Sequence, residues 1–396
     1  MTLEGSETGA AETRAPLQVA RRQLLLEALQ RDGAMRISDL SEALGAAAVT
    51  IRRDIAQLAA EGLVQRVHGG VALITPDESP APEAPAAGPS SLSGRTLGML
   101  VPSLDYYFPE VARGAEEAAR ELDMRVVLRG SSYDAEDDRP QLERLVDRMG
   151  VDGLIIAPRM DTSTAERTID WLAHAGVPVV LLERTATVGA HHAVMESVVT
   201  DHALGAAMAV RHLTSLGHRR VGVVLDANSP TRPHVRRGWL EAANDCGLDP
   251  TATVEAVVPD SRSPERDALI DEVLDRCAAT GTTALLVHAD AEAIALVQRC
   301  EERQLAVPGD LSIVAYDDEV AGLFSPPLTA VRPPRRSIGR AAVRLVADRL
   351  ADPERPTHRV VISPALRIRE STAAPRPSTP PSPSPSGWRP ASPTRA

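Results

Sequence analysis

"VTIRRDIAQLAAEGLVQRVHGG", residues 49–70, decides how the N-terminal part of this 396-residue chain folds. At 100° per residue, Ile51, Ile55 and Leu58 share one helical face, Arg53 and Gln57 point away, and Thr50 and Arg52 lie on the flanks. The spacing predicts a helix that begins near Ala48. Two alternating strands follow, over 63–67 and 71–74, around His68-Gly69-Gly70, where the glycines supply the positive φ of a tight hairpin. Upstream, "RRQLLLEALQRDG" (21–33) sets Leu24, Leu25, Ala28 and Leu29 at helical spacing and stops at Gly33. "ISDLSEALG" (37–45) reads as a second helix with Ser38 as N-cap, Asp39 in the first turn and Gly45 as C-cap. Three helices and a hairpin make a winged helix-turn-helix over 17–74.

The net charge of −11 excludes a protein that is basic all over, but the relevant field is local. All 43 basic residues are Arg, and residues 17–75 carry seven of them against six acidic groups, close to balance in an otherwise acidic chain. A helix fits the major groove, and Arg makes the commonest specific contact there, bidentate to guanine. Thr50 suits a phosphate or a thymine methyl, and Arg66 and His68 on the wing suit backbone or minor groove. An isolated Arg pair is more often a solvated face. Its place on the second helix of a helix-turn-helix, before a basic wing, favours double-stranded DNA, with Ser38, Thr50, Arg52, Arg53, Gln57, Arg66 and His68 as candidate contacts. Asp54 lies toward the core and is expected to hold an Arg or cap a helix. "TIRRDIAQLAAEGLVQRVHGG" resembles the signature of the DeoR family, and "RISDLSEALG" fits the helix before it. Where that family usually has a capping Ser, this chain reads Ala46-Ala47-Ala48.

Composition marks the remaining boundaries. Residues 75–95 hold five Pro among Ala, Ser and Glu and read as a linker; residues 372–396 hold eight Pro and read as a disordered tail. Between them, 96–371 alternates strand and helix. Strands are predicted over 96–102, 124–130, 153–158, 178–183, 220–226, 254–259, 284–289 and 312–318. This is the pattern of right-handed βαβ units and parallel sheets. "VVTDHALGAAMAVRHLTSLGHRRVGVV" (198–224) reads as a restart, so the expectation is an α/β domain of two Rossmann-like lobes with a cleft between them.

Open α/β sheets bind ligands at the carboxyl ends of their strands. There the chain places Asp105 with Tyr106, Tyr107 and Phe108, three of only nine aromatics, then Glu183-Arg184, Asp290 and Asp317-Asp318. Aromatic faces beside carboxylates suit sugars: rings cover C–H faces while acids and Arg take hydroxyls in pairs. Any single ring is as readily a core residue, and any single acid a helix cap. "VPSLDYYFPEVARGAEEAA", "VTDHALGAAMAVRHLTSLGHRRVGVV", "VHADAEAIALVQRCEERQLAVPGDLSIVAYDD" and "SPPLTAVRPP" together resemble the LacI-type regulatory domain, a relative of periplasmic sugar-binding proteins. The resemblance implies ligand-lining positions at Asp105, Phe108, Glu183, Asp290 and Asp317, with Tyr107 and Arg184 beside them. Asp105 stands where that family usually has Asn, and Tyr106 where it has Pro. Val235 replaces a ligand Arg, leaving the adjacent Arg236 as the candidate. A Pro-rich linker replaces the LacI hinge helix.

Enzyme readings find no support: no dinucleotide or P-loop motif, no nucleophile elbow and no Cys/His cluster with metal spacing. His191-His192 reads as a solvated pair rather than a metal site, and no cofactor is implied. Cys246, Cys277 and Cys300 are odd in number and widely spaced, which suits reduced thiols. The absence of an 18-residue apolar run, or of a secretory pattern at the start, leads to the expectation of a cytoplasmic protein without a membrane partner. The sequence thus predicts a homodimeric transcriptional regulator, a repressor, whose operator affinity responds to a small sugar-like effector. The alternative is a ligand-independent DNA-binding protein whose second domain only dimerises.

Overall fold

The computed structural model describes residues 18–67, 70–73, 92–131, 137–259 and 263–376. His68, Gly69, the predicted linker up to residue 91 and the predicted tail from residue 377 lie outside them.

The N-terminal module runs α1 (Gln18–Asp32), β1 (Met35–Arg36), α2 (Ile37–Leu44), α3 (Ala48–Ala60), β2 (Val64–Val67) and β3 (Gly70–Leu73). Leu25, Ala28, Leu29, Leu40, Ile51, Ile55, Leu58, Val64 and Val71 form its core, as the helical spacing requires. Leu24 is the exception at 41% exposed, because it falls on the margin of the stripe. The hairpin gains a third strand: β1 pairs antiparallel with β3, Met35 opposite Val71. Ser38 is not the N-cap of α2. The helix starts two residues earlier than that cap requires, at Ile37 after an extended Arg36, and Ser38 is exposed in the first turn with its hydroxyl donating to Asp39. Gly45, at φ 57, closes that helix in the left-handed conformation. Ala47 precedes α3 and gives it no side-chain cap.

The chain continues through β4 (Thr96–Val101), α4 (Phe108–Glu121), β5 (Arg125–Gly130), α5 (Arg139–Glu143), β6 (Gly153–Ile156), α6 (Ala165–Ala173), β7 (Val179–Leu182), a small hairpin of β8 (Thr187–Val188) and β9 (Ala193–Val194), and β10 (Ser197–Thr200). Next come α7 (His202–Ser215), β11 (Val221–Asp226), α8 (Arg232–Asp245), β12 (Glu255–Val258), α9 (Arg266–Thr280), β13 (Ala284–His288), α10 (Asp290–Glu302), β14 (Ser312–Tyr316) and β15 (Thr329–Arg332). It ends with α11 (Arg335–Ala351), β16 (Arg359–Ile362) and β17 (Ala365–Arg367). Two compact units result. The first holds the chain to Thr200 plus Pro334–Ile362; the second holds Asp201–Pro333 and the chain from Ser363.

Each unit is built on one six-stranded sheet. The first has the order β16-β10-β7-β6-β4-β5, parallel throughout. The second has the order β12-β11-β13-β14-β15-β17, parallel except for β15 against β17. Central strands such as "GLII" and "SIVAY" are buried along their whole length, which is why they read as unbroken apolar runs.

Helices close on one another through glycines. A Cβ on Gly339 of α11 would lie 1.9 Å from the Val111 carbonyl oxygen of α4, and one on Gly114 of α4 would lie 2.1 Å from the Arg336 carbonyl oxygen. In the second unit, a Cβ on Gly238 of α8 would lie 2.0 Å from the Ala203 carbonyl oxygen of α7.

Gly339→Ala should therefore lower the melting midpoint: overpacking that costs about 1–3 kcal/mol outweighs a helix-propensity gain of about 1 kcal/mol. An unchanged or raised midpoint would contradict the close approach. Cys277 and Cys300 are buried, and burial pushes both thiols up to about 12, whereas Cys246 is only partly covered. A thiol reagent near neutral pH should label Cys246 alone in the native protein, and all three cysteines in denaturant.

Candidate DNA-reading helix and ligand rim

On α3, Arg53 and Gln57 are exposed, Thr50 is half-covered, and Gln57 donates to Glu61 one turn on at 3.1 Å. Arg52 differs. Its guanidinium pairs with Asp147 and donates to the Val146 carbonyl at 3.2 Å, leaving its side chain 15% exposed. Asp54 is buried and holds two guanidinium groups from α1, Arg21 at 2.6 Å and Arg22 at 3.4 Å, as its place toward the core foretold. The helix thus presents its polar face while its one buried charge is neutralised from behind. The backbone of Arg66 lies in β2 opposite Val71. Its side chain, and His68 altogether, fall outside what the structure describes.

In the first unit, the exits of β4, β6 and β7 lie on one edge of the parallel sheet. Asp105 is exposed, and its amide is held by the Ser103 hydroxyl at 3.1 Å. Tyr106 is 38% exposed, whereas Phe108 opens α4 as a core residue at 3%. Tyr107 is partly covered, its ring edge-on to Phe108, and its phenol donates to Glu183 at 2.5 Å. Glu183 is buried and accepts from both the amide and the hydroxyl of Thr200. Arg184 is half-buried and donates to the Glu183 carbonyl at 2.7 Å. At the exit of β6, Arg159 grips Asp161; that hydrogen bond first, with Arg184 further off, holds the Asp161 carboxyl below its ordinary range. Of the expected residues, the structure brings Tyr107, Phe108, Glu183 and Arg184 together. Phe108 and Glu183 serve there as packing and anchoring groups rather than as exposed rim.

The second unit revises two expectations. Asp290 is fully buried, and its carboxylate accepts four backbone amides, from Asp318 at 3.2 Å, Glu319 at 2.7 Å, Val320 at 2.8 Å and Ala321 at 3.1 Å. It braces the loop after β14 and is not presented to a ligand. Arg236 projects from α8 to Glu255 on the edge strand β12, in a surface ion pair. That pair occupies it away from the strand exits. Asp317 stands at the exit of β14, with φ 89 and its amide bonded to the Val331 carbonyl. The next residue, Asp318, is buried between Arg332 and Arg369 at 2.6 and 2.8 Å.

Sequence reading missed His288, the last residue of β13. Its Nε2 lies 3.1 Å from the Thr231 hydroxyl before α8, and its ring meets Tyr316 edge-on. The only signal was its position, a polar residue closing the apolar run "ALLVH". Arg159 and Asp161 were missed likewise, just beyond "GLIIAP".

An exposed Arg-bearing helix in a winged module, and two parallel-sheet units with polar and aromatic strand exits, define a DNA-binding helix-turn-helix joined to a periplasmic-binding-type domain. A DeoR-like helix-turn-helix domain matches residues 21–77, and a periplasmic binding protein-like domain matches residues 210–372. An HTH-type transcriptional regulator from the aml 5′ region of Streptomyces limosus is 30% identical over 290 residues, 71% of this chain and 80% of that protein. The HTH-type transcriptional repressor PurR of Aliivibrio fischeri is 26% identical over 297 residues, covering 74% and 85%. The crystal structure of a LacI family transcriptional regulator from Enterococcus faecium with bound ribose superposes with a TM-score of 0.58 at 26% identity, over 71% of this chain and 99% of that one. The chain belongs to the LacI family of HTH-type transcriptional regulators, with a DeoR-like DNA-binding module at its N-terminal end. No described helix is long and apolar enough to cross a membrane.

Asp290→Ala leaves four backbone amides without their acceptor, those of Asp318 and Ala321 buried, and should lower stability by about 3 kcal/mol in urea unfolding. Asp290→Asn keeps one acceptor oxygen and should cost less; equal losses would contradict the bracing role. Burial pushes His288 down to about 3, with His202 adding to the shift, and burial also lowers His212 and His218. These rings stay neutral in the fold but bind protons once unfolded. Their contribution is therefore complete above the ordinary imidazole value of about 6.5 and is lost as pH falls below it. The urea midpoint should drop between about pH 7.5 and 5, and a flat profile would contradict the neutral, buried state.

Proposed function

We propose that this regulator is a cytoplasmic, homodimeric repressor that binds a two-half-site operator through α3 and the wing. In this reading a small, uncharged sugar-like effector, bound at the strand exits of the C-terminal domain, changes operator affinity. One observation carries the effector reading. In the first unit the exits of β4 and β6 carry the exposed Asp105 and Tyr106 and the surface-paired Asp161, with Tyr107 anchored on Glu183, so that end of the sheet offers both aromatic faces and carboxylates. Carboxylates accept hydroxyl donors and repel phosphate, which favours a neutral polyol. The ribose bound to the Enterococcus relative agrees with that chemistry. The protein acts by binding and not by turnover. An effector shifts operator affinity only by its differential affinity for two states, typically about 1–3 kcal/mol.

In this reading Thr50, Arg53 and Gln57 contact base edges or nearby phosphates, Ser38, Arg66 and His68 are the further candidate contacts, and Arg52 is drawn off by Asp147. Arg53→Ala should weaken specific binding to the gene's own upstream DNA by about 1–3 kcal/mol in a gel shift; unchanged affinity would contradict the recognition-helix assignment. Adding D-ribose, D-xylose, cellobiose or their phosphates to the same assay tests the effector. A shift with a free sugar and none with its phosphate is the expected outcome. A panel silent both here and in thermal denaturation would favour a second domain that only dimerises.

A further inference from the structure

Of the two arginines on α3, Arg53 is exposed, whereas the Arg52 side chain keeps only 15% of its surface. The groups that cover Arg52 belong to the body of the first unit, within the same compact unit as the N-terminal module. Asp147 pairs with its guanidinium, and the Val146 carbonyl accepts from Nη2 at 3.2 Å. Both lie on Arg144–Arg148, a π-helical turn that prolongs α5 and stops before Gly150, at φ 62. Carbonyls in the last turn of a helix lack helical donors and carry its negative end. The cation is thus held twice there, by a carboxylate and by a backbone carbonyl. Its apolar stem lies on Gly176, in the loop before β7. A Cβ on that glycine would sit 3.2 Å from Arg52 Cδ and 3.7 Å from Arg52 Cβ.

A surface ion pair alone contributes little. This seat combines the pair with a satisfied carbonyl and a covered stem, and it engages a residue next to Arg53 on the helix assigned to DNA. Arg52 cannot serve Asp147 and a phosphate or base edge at once. An operator that met α3 with the pair intact would meet a carboxylate at the flank of that helix, beside its own phosphates. An operator that took Arg52 for itself would first have to break the seat. Either route lowers affinity relative to a module whose Arg52 is free.

We propose that Asp147, Val146 and Gly176 form an autoinhibitory seat for Arg52, which holds α3 against the body of the first unit in the DNA-free protein. The inhibitory consequence rests on the reading of α3 as the DNA-contacting helix; the seat itself does not. Operator affinity is then the intrinsic affinity reduced by the fraction of molecules in which Arg52 is released. The competing partner is the chain itself, and no effector is needed for the competition.

The test uses the full-length protein without sugar, in a gel shift on the gene's own upstream DNA. Asp147→Asn keeps the shape and removes the charge, and should tighten binding about fivefold. Glu143→Gln removes the same charge one turn earlier on an exposed site and should leave affinity at the parental value. In an Arg52→Ala background Asp147→Asn should change nothing, because no arginine remains to be released. Unchanged affinity on Asp147→Asn would overturn the proposal. So would a gain that persists in the Arg52→Ala background, which would assign the effect to general repulsion between carboxylate and phosphate. A second measurement contains no DNA. Dyes at Gln30→Cys on α1 and Glu166→Cys on α6, both exposed, in a Cys246→Ser background, report the spacing of module and body by single-molecule energy transfer. Asp147→Arg, which sets like charges together, should add a second, shifted population. A distribution identical to the parent would show that there is no seat, whatever α3 contacts. A shifted distribution with DNA binding indifferent to both Arg53→Ala and Asp147→Asn would instead sink the assignment of α3 and, with it, the inhibitory role.

Discussion

The architecture depends on the backbone-to-backbone approach of α4 and α11. The two helices are more than 200 residues apart in sequence, and α11 belongs to the first unit only because Gly114 and Gly339 let the chains meet where a Cβ would strike a carbonyl. Dense contact at that range gives the returning segment a single seat. Around it, Glu110, Glu117 and Glu121 of α4 face Arg336, Arg340 and Arg344 of α11 in a surface ladder of ion pairs. Exposed pairs of this kind contribute little individually. They fix register, while the glycines permit the approach. Once α11 is seated, β16 can join the edge of the sheet beside β10, and Arg335 can reach the Tyr107 ring. The second unit solves the same problem with Gly238 against Ala203, which seats α8 on α7.

At the strand exits the acids divide into two kinds. Glu183, Asp290 and Asp318 are buried and satisfied by hydroxyls, amides and guanidinium groups, and they shape the loops that carry them. Asp105 is exposed and Asp161 is paired at the surface, which leaves them able to meet a solute. A buried carboxylate with several donors is an expensive group to leave unmatched, and this makes it a good determinant of loop geometry. The same residue type therefore frames the rim in one place and forms it in another.

This division also explains what could be read from the sequence. The eight predicted strands are all present: the central parallel ones are apolar on both faces and announce themselves as runs, and the edge strands β5 and β12 were legible from their valines. The short strands β10, β15, β16 and β17 escaped that test, as did β1. β16, for example, alternates exposed and half-buried residues, and its place at the edge is set by α11 rather than by its own composition. The restart near residue 200 was legible, whereas the return of 334–362 to the first unit was not: two glycines leave no hydrophobic signature of their partner. Likewise the exits of the strands could be listed from the sequence, but not which acid turns inward. Asp290 is buried by a loop that begins 28 residues later, and Arg236 is drawn off by Glu255, 19 residues away, where neither spacing nor periodicity has reach.

Asp54 has a bearing on protein engineering. Recognition helices are natural units to exchange when a regulator is to be retargeted to a new sequence. Here the helix that carries Arg53 also carries a carboxylate on its inner side, matched by Arg21 and Arg22 on a different helix. A graft of α3 alone into a scaffold without those arginines would import a negative charge without its counterions, and the reverse graft would strand two guanidinium groups beneath the exposed face of the helix. The transferable unit is therefore α3 together with the start of α1, a pairing that sequence proximity would not suggest.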